Sequence, residues 1–313
     1  MRNVNNTWHA ITLVFLLVLT SCSVSKYIPE NEVLYTGASL RLNFPEKVQN
    51  KSSIKEEVAN ILYPKPNSEL LGMKLGLYYH YRAEDKKFAP LTNWLDKKFG
   101  EEPVYLSDVD ISKTEELIGN RLENNGFFKN TVTSELKAKG KYTSVRYKAD
   151  METPYKLKTY QLDTDSTKIH QDIEASMENT LLKPENRFDL GQLKAERARI
   201  DEYLKSIGYY NFNGDFLLFE ADTNQHNTKH FDLYVRLKRE TPQKALLPYR
   251  INSIQIFPRY SLKQDTLEQD TVTVGEIDVI QRGVYFKPHL LPYYVLLEED
   301  TRYNPRASRV TSQ

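Results

Sequence analysis

Two stretches of the chain alternate between apolar and polar positions. In one, Val145, Tyr147, Ala149 and Met151 alternate with Arg146, Lys148 and Asp150; in the other, Phe231, Leu233, Val235 and Leu237 alternate with Asp232, Tyr234, Arg236 and Lys238. A period of two predicts half-buried strands, one face inward and one wet. Shorter strand candidates precede them, Thr131–Lys137 and Phe212–Glu220, and opening strands for a next unit follow at Tyr155–Leu162 and Tyr249–Phe257. Upstream of each pair the period becomes helical. Ile118 and Leu122 lie four apart, followed by Gly126, Phe127 and Phe128; Ile200 and Leu204 are followed by Gly208, Tyr209 and Tyr210. Apolar residues four apart share a helix face, and a glycine just past the last of them suits a left-handed helix end. The two copies superpose at an offset of 82 residues.

Helix starts are expected at Ser112–Glu115 and Asp189–Gln192, both with capping-box spacing. A third box, Ser53–Glu56, opens a helix to Leu62 with Ile54, Val58, Ile61 and Leu62 on one face. The chain therefore reads as repeated strand–helix–helix–strand–strand units of α+β class. The first has its opening strand at Val33–Leu42 and a long insertion at about 63–106, within which Trp94 and Phe99 are expected to pack locally. The second has a polar helix near Lys168–Thr180 and a longer one at Leu190–Ile207. A third opens at Tyr249 with one strand, continues through Lys287–Glu299, and reaches the start of its second helix at Tyr303–Gln313. Its two remaining strands are absent from this reading, so the unit is expected to be incomplete and partly unfolded. The boundaries are 1–21, 26–152, 153–245 and 246–313.

The first of these segments is a signal peptide. Ala10–Leu19 is apolar except for Thr12, too short to span a bilayer, which needs about 20 residues. Leu19-Thr20-Ser21-Cys22 resembles a bacterial lipobox, with cleavage between Ser21 and Cys22 and acylation of Cys22, the chain's single cysteine. An ordinary signal peptide with an incidental cysteine is the alternative. No acidic residue directly follows Cys22, which by resemblance to lipoprotein sorting rules favours the outer membrane. No Asp/Glu cluster of the kind that sends some lipoproteins to the cell surface follows either, which favours its periplasmic face.

Composition removes other classes. Lys and Arg number 43 against 42 Asp and Glu, so no basic field exists for nucleic acid. The sequence contains no Gly-x-Ser-x-Gly, P-loop, paired cysteines or His-Glu-x-x-His. No enzymatic activity, cofactor or metal is expected. His226 and His230 stand four apart, which on a helix would offer half a metal site, but they fall in a polar turn between strands.

Units of this order on a lipoprotein resemble POTRA domains, the periplasmic modules of the BamA/TamA superfamily of outer-membrane assembly proteins, and its TamL-like lipoprotein branch in particular. The resemblance rests on the lipobox, "KYIPENEVLYTGASLRL" (26–42), "KPNSELLGMKLGLYYHY" (65–81), "GEEPV" (100–104), "LENNGFF" (122–128) and "RFDLGQLKAERARIDEYLKSIGYYNF" (187–212). It implies tandem POTRA-like units, each a small mixed three-stranded sheet with two helices on one face. It also implies capture of extended segments at open sheet edges, here Phe216, Leu217, Leu218, Phe219 and Glu220 in the second unit and Thr131–Lys137 in the first. The implied partners are unfolded outer-membrane protein clients and assembly-complex subunits, with the membrane reached through the lipid. Family members continue into a β-barrel whose strands each need about 10 alternating residues; no such strands follow, and the chain reads as a truncated fragment or split-gene product. A barrel-free periplasmic scaffold lipoprotein is the alternative, and a lipoprotein enzyme a less favoured one.

Overall fold

The two alternating stretches are the middle strands of two three-stranded sheets in a computed structural model of the protein. The structure describes residues 24–83, 89–163, 166–226, 228–258, 260, 270–283 and 286–312. The chain divides into two units, Met1–Pro154 and Tyr155–Gln313.

In the first unit the elements run β1 (Leu34–Asn43), α1 (Lys51–Ala59), α2 (Leu75–Ala83), α3 (Ala89–Phe99), α4 (Ile111–Glu123), β2 (Asn130–Lys139) and β3 (Tyr142–Met151). β1 pairs parallel and β2 antiparallel with β3, giving the order β1-β3-β2. Ile54 and Val58 of α1, Ile118 and Leu122 of α4, and Val145, Tyr147 and Ala149 of β3 meet in one cluster, each at most 1% exposed. Burying a large apolar side chain contributes about 1.5–3 kcal/mol, so this face fixes the register of β3. The helix starts differ from the expected boxes. Asp110 caps α4, its carboxylate accepting the Lys113 N–H at 2.8 Å, because an aspartate one residue before the helix reaches the third N–H. α1 begins at Lys51 after a left-handed Asn50, which leaves Ser53 inside the first turn. In the insertion, Trp94 and Phe99 are more than half exposed, with the Lys98 ammonium 5.3 and 5.4 Å from their ring centres. The packed residues there are instead Leu77 and Tyr81 of α2, against Val24, Ile28 and Leu34.

The second unit starts with β4 (Lys156–Leu162), α5 (Lys168–Ser176), α6 (Leu190–Ser206), β5 (Leu217–Asp222) and β6 (His230–Leu237). Its first sheet has the order β4-β6-β5, parallel then antiparallel. Ile169, Ile173, Ile200, Leu204, Tyr209, Phe212, Leu217 and Val235 form the core between helices and sheet. Asp189 caps α6 as expected, accepting the N–H groups of Gly191 and Gln192. Gly126 and Gly208 both take positive φ, 85° and 106°. In each copy the first aromatic after the glycine is fully buried and the second exposed: Phe127 and Tyr209 against Phe128 and Tyr210.

The expectation of a single strand beyond residue 246 is overturned. β7 (Ile254–Ile256), β8 (Asp270–Val274) and β9 (Ile277–Gln281) form a third sheet, order β7-β9-β8, again parallel then antiparallel. A tight turn at Gly275, φ 63°, closes the β8–β9 hairpin, and Ile277, Val279 and Gln281 supply its buried positions. Helical segments follow these strands, a 3-10 stretch Pro288–Tyr294 and α7 (Pro305–Thr311). The tail is tied back by hydrogen bonds from Ile251 N–H to the Thr301 carbonyl and from Tyr303 N–H to the Tyr249 carbonyl. The expected loose end is therefore a hydrogen-bonded one.

Candidate functional site

Each of the two larger sheets has two edges, and they are treated differently. The start of β1 is covered by the segment before α4: Tyr35 donates to the Val104 carbonyl and Leu106 to the Val33 carbonyl, both at 2.9 Å. The start of β4 is covered by the segment before α6: Leu157 donates to the Asn186 carbonyl, and Glu185 and Phe188 donate to the Leu157 and Tyr155 carbonyls, all at 2.8 Å. Among the described residues no further strand pairs with β2 or β5.

Register decides which backbone groups these open edges offer. Lys238 N–H donates to the Phe216 carbonyl at 2.9 Å, which makes 216–238 a hydrogen-bonded pair. Such pairs alternate along an antiparallel ladder, so Leu218 and Glu220 also turn their N–H groups inward, toward β6. The outward N–H groups belong to Phe219 and Ala221. In β2 the Glu152 N–H donates to the Lys129 carbonyl at 3.0 Å, and by the same alternation Val132, Ser134, Leu136 and Ala138 face outward. The β2 edge is the longer of the two, and Thr133–Lys139 is exposed throughout.

The five residues singled out in the second unit have different surroundings. Phe216 is not in the strand: Asn213 accepts the Asp215 N–H at 2.8 Å and holds Gly214–Phe216 in a 3-10 turn, so the strand starts at Leu217 and not at Phe212. Leu217 is fully buried. Phe219 stacks on Tyr160 with ring centres 6.3 Å apart and lies under the Arg197 guanidinium. Leu218 is 38% exposed, and Glu220 pairs with Arg236 at 2.8 Å. In the first unit the expected edge Thr131–Lys137 contains Ser134 and Leu136, the latter left 50% exposed; the strand runs on to Lys139 and so adds Ala138. Ser21 and Cys22 lie outside the described residues.

The two histidines take separate carboxylates. His226 Nε2 is 2.9 Å from Asp232, and His230, which begins β6 and is not in the turn, places Nε2 3.2 Å from Glu185. The His230 hydrogen bond holds the Glu185 carboxyl below its ordinary value. No group of three or more His, Cys, Asp or Glu side chains among the described residues is placed to hold a metal ion. No helix among them is long and apolar enough to cross a membrane.

No family model matches the chain. No curated protein matches it either. Among solved structures it is similar to POTRA domains 3–5 of BamA from Haemophilus influenzae, at 14% identity and a TM-score of 0.38, over 91% of this chain and 85% of that one. It is similar also to POTRA domains 1–3 of Omp85 from Anabaena, at 11% identity and a TM-score of 0.31, over 90% of this chain and 84% of that one. The N-terminal domain of Omp85 from Thermosynechococcus elongatus aligns at 8% identity and a TM-score of 0.28, over 91% of this chain and 85% of that one.

Proposed function

We propose that the chain is the periplasmic POTRA portion of a TamL-like outer-membrane assembly lipoprotein, anchored through an acylated Cys22, and that it captures extended segments of outer-membrane clients or assembly subunits at the edges of β2 and β5. The observation that supports this reading is the repeated open edge. In both units the opening strand is covered by the segment leading into the last helix before the late strands, α4 or α6, while the first late strand carries outward backbone groups. Strand addition there is sequence-tolerant because the backbone supplies the bonds. A backbone hydrogen bond contributes about 1 kcal/mol net, and ordering each captured residue costs about 1–2 kcal/mol. Capture by edge pairing alone is therefore weak, as a transient carrier requires.

Proline tests this reading. Ser134→Pro in β2 and Ala221→Pro in β5 each delete one outward N–H and keep the inner ladder. Binding of an extended amphipathic peptide, followed by backbone amide shifts, should weaken in the double variant. Unchanged binding by a folded double variant refutes edge capture. Mass spectrometry of membrane-extracted protein tests the anchor: the mature chain should begin at an acylated, blocked Cys22, and a free amino terminus at another residue refutes it.

A further inference from the structure

An open groove of about 1170 Å³ lies on the first unit, between the N-terminal segment, the loop before α2 and the β2–β3 hairpin. Five lysines line it, Lys26, Lys74, Lys137, Lys139 and Lys141, against one lining carboxylate, Glu69. Three of these lysines come from the run Lys137-Ala138-Lys139-Gly140-Lys141, where the hairpin turns at Gly140 with φ 61°. The others are brought to it by the fold. Lys74 is buried, with Nζ 3.2 Å from the Asn67 carbonyl and 3.6 Å from Glu69. Lys141 holds the Ile28 carbonyl, Lys137 pairs with Glu135, and the Lys26 ammonium lies over the Tyr27 ring. Glu69 and Glu135 are both more than half exposed, and solvent screens ion pairs of that kind so strongly that they neutralise little of the lysine charge. The groove keeps a positive excess in a chain whose formal net charge is only +1.

Its position identifies the occupant. Val24 lines the groove and is 3% exposed, which places a buried residue of this groove two positions after Cys22 in the sequence. Two extended residues span about 7 Å, less than the Debye length of about 8 Å at physiological ionic strength. We propose that this groove binds the phosphates of anionic phospholipid headgroups and orients the first unit on the bilayer surface. The placement rests on the acylation of Cys22 proposed above; the lysine cluster itself does not.

The test uses the full chain and a Lys26→Gln/Lys137→Gln/Lys139→Gln variant, with sedimentation on phosphatidylcholine vesicles and on vesicles containing phosphatidylglycerol. The apolar leader or its acyl replacement is common to both proteins, so the readout is the preference for anionic vesicles. A lysine near an anionic surface contributes about 1 kcal/mol, roughly fivefold in partition. The triple variant should lose about a hundredfold of that preference at low salt, and high salt should remove the parent's. Equal preference in parent and variant overturns the proposal. So does displacement of the parent from anionic vesicles by millimolar inorganic phosphate, which would assign the groove to a free anion. Ser134→Pro should leave the preference intact, so that failure of edge capture and failure of the groove are separable. Retained lysine-dependent preference in Cys22→Ser would mean that the groove stands without the anchor.

Discussion

Arg199 grips Glu196 one helical turn away with two hydrogen bonds, Nε to Oε2 at 3.0 Å and Nη2 to Oε1 at 2.7 Å. Glu196 is fully buried, and it also accepts the Leu181 N–H and the Thr180 hydroxyl, both at 2.9 Å. The pair thus ties α6 to the segment after α5. Removing one partner of a buried pair strands the other charge and costs about 3–5 kcal/mol. Arg199→Ala should lower the unfolding free energy of the second unit, measured in urea, by an amount in that range. A loss below 1 kcal/mol would mean that water reaches the carboxylate.

The same carboxylate makes the second unit acid-sensitive. Burial alone would raise its pKa, but the bonds from Arg199, Leu181 and Thr180 outweigh this and hold it below the ordinary value. As pH falls, the unfolded chain takes up the proton first, near about 4.3. Stability should therefore decline from that value down through the lower folded one. Urea unfolding as a function of pH should show a shallower acid slope in Glu196→Gln than in the parent, whatever the variant's stability at neutral pH. In the first unit Tyr35 works at the other end. Burial, with a smaller contribution from Tyr147, pushes its hydroxyl up to about 12. The unfolded chain ionises first, near about 10, so stability should fall between these values as pH rises, and less in Tyr35→Phe.

Tyr209 occupies the place that Phe127 holds in the first unit, yet its hydroxyl is used: it donates to Asp172 Oδ2 at 2.8 Å, linking the end of α6 to α5. A hydrogen bond to a charged group contributes about 1.5–3 kcal/mol. Tyr209→Phe should cost an amount of that order in thermal or urea unfolding. A neutral substitution would show that Asp172 is satisfied by Lys168, its other partner.

Gly126 and Gly208 were legible because a left-handed helix end restricts residue type so strongly. Other features depend on contacts that a local pattern does not carry. Asp232 sits on the polar side of an alternating strand yet is buried, because Thr159, 2.6 Å away, and His226 fill its oxygens from elsewhere in the chain. Glu196 and Arg199 resemble a surface pair in sequence; the Thr180 hydroxyl and the Leu181 N–H show otherwise. The β8–β9 hairpin alternates only in part, because Ile280 and Gln281 break the pattern that Ile277 and Val279 begin, and its parallel partner β7 is only three residues long and falls late in the expected strand. At the candidate edge, strand identity was legible and the direction of each N–H was not, since that depends on the pairing phase with β6.

Gly208 joins the second sheet's unit to the start of the third. Its carbonyl accepts the Tyr249 N–H at 2.7 Å, and a Cβ built on it would lie 3.0 Å from the Tyr249 carbonyl oxygen. With φ at 106°, alanine would be strained as well as crowded; such backbone costs about 1–3 kcal/mol. Gly208→Ala should reduce stability by about that amount and raise amide exchange at Tyr249 and Tyr303. Unchanged exchange there would show that the third sheet is held independently of this contact.

The phase of β5 makes a sharper prediction, because two prolines three residues apart should behave differently. Leu218 directs its N–H into the ladder with β6, opposite Arg236, whereas Ala221 directs its N–H away and is exposed. Proline at Leu218 removes an internal bond and sets a ring against the neighbouring strand. Proline at Ala221 removes nothing that the fold uses, the position at which edge strands tolerate it. Leu218→Pro should cost about 3 kcal/mol or more, while Ala221→Pro should stay within about 1 kcal/mol of the parent. Circular dichroism and urea unfolding of the two variants decide the matter. If Leu218→Pro proves as stable as the parent and Ala221→Pro unfolds, the ladder is shifted by one residue. The edge would then present Leu218 and Glu220 to an incoming strand in place of Phe219 and Ala221.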